Sequence, residues 1–313
     1  MDDGVVFETP KFLPKAMGGE LAEHDEYRCF LMDSGISEPA FITAYDVLPG
    51  VPAIVHHSIL MLVDPDAPAD DPSLGTNLDA MLALDAESPD RAGWPCFSGA
   101  GDGVAVNASP VVWAPGQGVV EYPGKSGVPI SPQDKVVVQI HYNLADTAPA
   151  EDQTRIRLRT VPEVENLGLF VLSDPFLNSI DDDTPEMLPA GQASAKYQWQ
   201  RSVEDLGLAE LPSVTLRGVM PHMHQLGRKY RMSLTEAGQQ SCGVDVQNWD
   251  FHWQRMYFYD KPIALDASSS IGVTCDFDTS SRTAPVLPGW GTQNEMCLAT
   301  LYVTVPLAEL NGG

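Results

Sequence analysis

The sequence predicts an all-β protein, a sandwich or a barrel, on three observations. β-Branched apolar runs recur along the chain with no helices alternating between them. Gly and Pro, 26 of each, punctuate it too heavily for long helices. Only two short stretches carry helix signals. The first strands are Val51–Val63 (VPAIVHHSILMLV) and Lys135–Tyr142 (KVVVQIHY), each bounded by Pro, Gly or Asp. Arg155–Val161 (RIRLRTV) alternates polar and apolar residues at period two, as a half-solvated strand does. In the second half, Gly168–Leu172, Ser213–Met220, Tyr230–Thr235, Ile271–Phe277 and Cys297–Val305 repeat the style. The two helix candidates are Asn77–Asp85 and Ser202–Leu208, each opening on a Thr or Ser cap.

A length of 313 residues suits two domains, and 43% hydrophobic content excludes a disordered chain. The boundary falls in the polar link Pro162–Asn166, giving domains 1–163 and 164–313. The net charge of −25 repels phosphate backbones and anionic lipid, so no nucleic-acid partner is expected. No apolar run reaches the ~18 residues of a membrane span. The Asp- and Pro-rich loops Asp64–Pro72 and Asp181–Pro189 lack calcium-loop spacing and read as solvated connections. Gly124-Lys125-Ser126 fails as a phosphate loop, because Val119 stands where the first glycine belongs. The start, MDDGVVFETP, has no secretory-signal regions and reads as cytosolic on its face, or as a mature chain. Cys29, Cys96, Cys242, Cys275 and Cys297 form no C-x-x-C pair, which disfavours structural zinc. Two disulfides with one spare cysteine, or five buried thiols, both fit that count.

The seven histidines are the informative residues. A single buried histidine is ordinarily a hydrogen-bonded core residue, and His24 and His252 read that way. The other five, His56, His57, His141, His222 and His224, crowd into three apolar strands, where an imidazole is expensive without a partner. His222 and His224 stand two apart and share a strand face, so they form a pair of metal ligands. His56 and His57 are neighbours and face opposite ways in a regular strand. They meet one ion only at a bulge, at a strand end, or through their nearer Nδ1 atoms. Imidazole without a carboxylate triad suits copper or zinc, and a thioether points to Cu(I). Met296 and Met220 are the competing thioethers.

These residues carry a resemblance. His56-His57, then His141-Tyr142-Asn143, then His222-Met223-His224-Gln225-Leu226-Gly227-Arg228, then Glu295-Met296-Cys297 occur in that order. The series resembles the ascorbate-dependent type II copper monooxygenases, the group of dopamine β-hydroxylase and peptidylglycine α-hydroxylating monooxygenase, from about Tyr27 to Val305. The resemblance implies two jelly-roll-like antiparallel β-sandwich domains and two copper ions per chain. His56, His57 and His141 would hold an electron-storing copper. His222, His224 and Met296 would hold the copper that activates O2, and these three are the catalytic residues. Gln139 and Tyr142 would support His141. Disulfides Cys29–Cys96 and Cys275–Cys297 would match two family bridges, leaving Cys242 unpaired. Two bridges favour a secreted, periplasmic or surface-anchored chain over a cytosolic one.

The implied activity is hydroxylation of a C–H bond in a small organic substrate, with O2 and ascorbate or another one-electron reductant as co-substrates. The peptide-processing branch holds a substrate carboxylate with an arginine two residues before the first His of the HxH pair, where this chain has Met220. Its Asn and Tyr, two and four residues after the Met ligand, are here Leu298 and Thr300. An apolar group near Met220, Leu298 and Thr300 therefore suits the pocket better than a peptide carboxylate. The same departures leave an alternative, a copper-binding or electron-relay protein of this fold without hydroxylase activity.

Overall fold

The computed structural model describes residues 4–18, 23–97, 99–145 and 147–310, so the reading of the chain start falls partly outside it, at Met1–Asp3. Residues 4–18 with 23–169 form one compact unit, and residues 170–310 belong to a second. In the first unit the strands are β1 (Val5–Glu8), β2 (Asp25–Asp33), β3 (Ala40–Leu48), β4 (Val55–Val63), β5 (Trp94–Pro95), β6 (Ala108–Trp113), β7 (Val120–Glu121), β8 (Ser126–Ile130), β9 (Lys135–Asn143) and β10 (Arg155–Val161). One sheet runs β1-β10-β3-β8 with β7 also on β3, and the other runs β5-β2-β9-β4-β6. β9 is the middle strand of the second sheet and is buried on both faces, which is why apolar residues stand at successive positions from Val136 to Val138 rather than alternating with polar ones. The Tyr45 hydroxyl of β3 donates to the Val112 carbonyl of β6 at 2.7 Å, joining the two sheets through the core.

Helix α1 (Asn77–Ala86) forms where the sequence predicts it. Thr76 and Asp79 cap it reciprocally, and Ala80 and Met81 pack against Trp94, Val137 and the Cys29–Cys96 bridge. The predicted strand Val51–Val63 begins only at Val55. Residues 51–54 make a turn instead, closed by Ile54 N–H donating to Val51 at 3.1 Å, and Pro52 has no N–H for a sheet ladder.

β2 is a strand the composition hides. Asp25, Glu26, Tyr27, Arg28, Cys29 and Phe30 are all buried, although three of them are charged. Each charge has its partners. Arg28 donates to the carbonyls of Arg91, Ala92 and Gly93, and Glu26 pairs with Arg91. Asp25 accepts from His141 and Asn143.

The second unit holds β11 (Asn166–Ser173) from residue 170, β12 (Ala195–Ser202), β13 (Val214–His222), β14 (Gly227–Glu236), β15 (Gln239–Val246), β16 (Tyr257–Leu265), β17 (Ser270–Phe277) and β18 (Leu298–Pro306). Short helices α2 (Pro175–Asn178) and α3 (Leu307–Leu310) accompany them. Its sheets run β11-β18-β13-β16 and β12-β17-β14-β15. The Cys275–Cys297 disulfide ties β17 of one sheet to the residue before β18 of the other. Trp199 of β12 donates its indole N–H to the Cys297 carbonyl at 2.8 Å. Asp174 caps α2 through Leu177 N–H and accepts Cys297 N–H, both at 3.0 Å. Cys242 lies exposed on β15 with a free thiol.

The predicted helix Ser202–Leu208 is not formed. Ser202 and Asp205 do exchange capping bonds, as a helix start requires. Gly207 then takes φ of +71°, and the segment closes as a turn. The fold is otherwise all-β, as the sequence predicts, and no helix among the described residues is long and apolar enough to cross a membrane.

Two outcomes follow from this framework. Replacing Cys29 and Cys96 together by Ser should lower stability by about 4 kcal/mol on the chain-entropy model, read as a fall in the unfolding midpoint. Burial pushes the Asp174 carboxyl up to about 7, against the lowering effect of the N–H groups it accepts. Tyr197 and Tyr230 lie within its electrostatic reach. A carboxyl raised on folding binds its proton more tightly in the folded chain, so stability should fall as pH rises from about 4 to about 7 and then level. Asp174→Asn should start less stable, because one buried N–H loses its acceptor. The gap to wild type should narrow across that window, measured by denaturant titration at each pH.

Candidate metal centres

The first centre is built on a break in register. Along the β4–β9 ladder, Val55 faces Tyr142 and His57 faces His141, which leaves His56 as the extra residue of a bulge. The bulge overcomes the alternation that would send His56 and His57 to opposite faces. His56 Nδ1 lies 3.1 Å from His141 Nδ1, and His57 Nδ1 lies 3.3 Å from it. The three ligand atoms all fall within 4.8 Å of one another.

His141 is held on its face and on its far edge. Tyr27, its partner across the β2–β9 ladder, stacks on the ring with centroids 3.9 Å apart and planes 12° apart. The Asp25 Oδ1 atom is 2.9 Å from His141 Nε2, and both side chains are wholly buried. A carboxylate only accepts, so Nε2 carries the proton and Nδ1 presents its lone pair to the other two rings. A cation among the three Nδ1 atoms would accept a lone pair from each of them. The donor set is nitrogen alone, which fits copper or zinc.

The second centre lies where β13 ends. His222 is the last residue of that strand and pairs with Leu298. His224 sits two residues on, in the turn that leads into β14. The two rings are 5.2 Å apart at their centroids and nearly perpendicular. Gln254 donates its amide to the Phe251 carbonyl at 2.8 Å, which directs its Oε1 to His222 Nδ1. His224 Nδ1 donates to the Asn294 carbonyl at 3.1 Å. Both protons therefore sit on Nδ1, and Nε2 carries the lone pair in each ring.

Met296 is buried between two anchored residues, of which Glu295 is bound to this turn. Glu295, wholly buried, accepts His224 N–H at 2.9 Å and Leu226 N–H at 2.6 Å. Cys297 is held by its disulfide, by Trp199 and by Asp174. Two imidazoles with a thioether on the adjoining segment are a donor set suited to Cu(I).

The structure gathers His56, His57 and His141 in one unit, and it sets His222, His224 and the Met296 segment together in the other. Gln139 and Tyr142 make their side-chain bonds elsewhere. Gln139 donates to Gly99 O at 2.9 Å, and Tyr142 donates to Asp152 at 3.2 Å. Met220 faces Thr300 across the β13–β18 ladder, one pair along the same face from His222 and Leu298. Both disulfides are present, and Cys242 is free. Sequence reasoning missed Asp25, Tyr27, Gln254 and the bracing role of Glu295. Of these only Glu295 carries a local signal, since it adjoins Met296.

Residues 189–306 match the C-terminal domain of the copper type II ascorbate-dependent monooxygenases. Over 202 residues the chain is 27% identical to tyramine beta-hydroxylase of Caenorhabditis briggsae, a match covering 61% of this chain and 33% of that protein. Over 211 residues it is 23% identical to MOXD1 homolog 1 of Drosophila melanogaster, covering 64% of this chain and 29% of that protein. The chain thus spans about a third of the length of these relatives.

Proposed function

We propose, on the premise that this chain belongs through residues 189–306 to the copper type II ascorbate-dependent monooxygenase family, that it hydroxylates a C–H bond of a small organic substrate. The co-substrates are O2 and an external one-electron reductant such as ascorbate. The observation that carries this reading is the convergence of three histidine Nδ1 atoms in the unit that lies outside the family match. A nitrogen-only centre there, together with a centre of two imidazoles and a thioether within the match, is the division of labour a two-electron oxidation needs.

Copper, held by His56, His57 and His141 and by His222, His224 and Met296, supplies one-electron redox chemistry and reaction with O2. The chain's own residues prepare those positions. Tyr27 and Asp25 hold His141 in one orientation, so little reorganisation accompanies a change of charge at the centre. Gln254 and Asn294 keep both protons of the second centre on Nδ1. Glu295 and the Cys275–Cys297 bridge fasten the Met296 segment, which keeps the weakest donor in place.

The substrate group that is oxidised lies by the face of Met220, Leu298 and Thr300, next to His222. That face has no guanidinium at position 220, which supports an apolar or neutral group rather than a peptide carboxylate. The two domains, divided between residues 163 and 170, hold one copper each. Two buried bridges support an oxidising compartment, so the chain acts outside the cytosol.

Purified protein should take up two copper ions per chain, and His57→Ala and His222→Ala should each reduce this to one. X-ray absorption of the Cu(I) form should show a sulfur scatterer that Met296→Ile removes, with substrate hydroxylation falling more than about 100-fold. Copper uptake unchanged in His222→Ala would refute the reading. So would ascorbate oxidation that proceeds at one rate with and without any member of a broad substrate panel.

A further inference from the structure

We propose that Asp25 is a positioning residue of the three-imidazole centre, one that fixes the proton of His141 on Nε2 and strengthens Nδ1 as a donor. The proposal rests on reading His56, His57 and His141 as copper ligands. It adds a specific task for a carboxylate that lies 116 positions from the histidine it touches.

The observations come from one face of the β2–β9 ribbon. Asp25 pairs with Asn143 and Tyr27 with His141, so all four side chains share that face at successive register positions. Asp25 Oδ1 takes two donors, His141 Nε2–H at 2.9 Å and Asn143 Nδ2–H at 2.8 Å. The amide of Asn143 thereby fixes the carboxylate, and the carboxylate fixes the ring edge. Tyr27 stacks on the ring and fixes its plane. With both constraints in place, the remaining edge of His141 faces the Nδ1 atoms of His56 and His57. His56 and His57 reach the same point from a bulge. His141 is the fixed member to which the other two are fitted.

A carboxylate on the far N–H pulls that proton and enriches the opposite nitrogen in electron density. The enriched nitrogen favours a doubly charged ion over a singly charged one. Asp25 therefore biases the centre toward Cu(II), which makes its reduced state a willing electron donor. A merely structural carboxylate, clamping β2 to β9, would leave the relative affinity for the two copper oxidation states untouched.

The test uses the full chain carrying His222→Ala, so that copper loads only the three-imidazole centre, with and without Asp25→Asn. Asparagine keeps an acceptor oxygen of the same shape and removes the charge. Cu(II) affinity should fall about 10–100-fold, and Cu(I) affinity should fall less. Each net tenfold difference raises the midpoint potential by about 59 mV. An affinity ratio unchanged by Asp25→Asn overturns the proposal, as does 15N NMR of metal-free protein placing the His141 proton on Nδ1. Wild-type protein that takes no copper through His57 sinks the reading of the site itself. The tautomer, which metal-free protein reports in either case, tells the two failures apart.

Discussion

Adjacent residues of a strand point to opposite faces, and the first centre exists only because β4 escapes that rule at one position. The bulge at His56 is a local loss of pairing in the β4–β9 ladder, which runs in regular register from His57 to Val63. β9, fully buried and hydrogen-bonded on both sides, supplies the rigid reference against which the slip is defined. The rest of the centre depends on this arrangement. Tyr27 and Asp25 orient His141 from the other side of β9, and the bulge swings His56 to meet it.

The two centres solve opposite problems of protonation. At His141 a carboxylate draws the proton to Nε2 and exposes Nδ1, close to the backbone and suited to convergence within one sheet. At His222 and His224, a side-chain amide and a main-chain carbonyl draw the proton to Nδ1 and expose Nε2, the outer atom of the ring. The outer atom suits a centre assembled from a strand end, a turn and a separate segment, because it adds reach. Glu295 is the counterpart of the bulge there. Its two oxygens bind backbone N–H groups on the histidine turn while its own main chain carries Met296.

The all-β class, most strands of the second half and α1 were legible because their burial patterns are simple. β17 alternates, and β9 and β18 are buried along all but their end residues. β2 was not legible, because DEYRC reads as a polar loop until Arg91 and the carbonyls of residues 91–93 are placed around it. Ser202–Leu208 read as a helix because its cap is genuine, and a single glycine overrides it. At the centres the histidines stood out, since imidazoles in apolar strands have few explanations. Their supports did not. Asp25 lies 116 residues from His141, Glu295 71 from His224 and Gln254 32 from His222, and no sequence period links such pairs.

Sulfur accessibility has a practical corollary. The four bridged cysteines are buried, while the Cys242 thiol lies exposed on β15, at the border of its sheet. Thiol exchange requires an approachable sulfur, so the native chain offers a maleimide or a mixed disulfide a single anchoring point. A spectroscopic label placed there reads out from one known address.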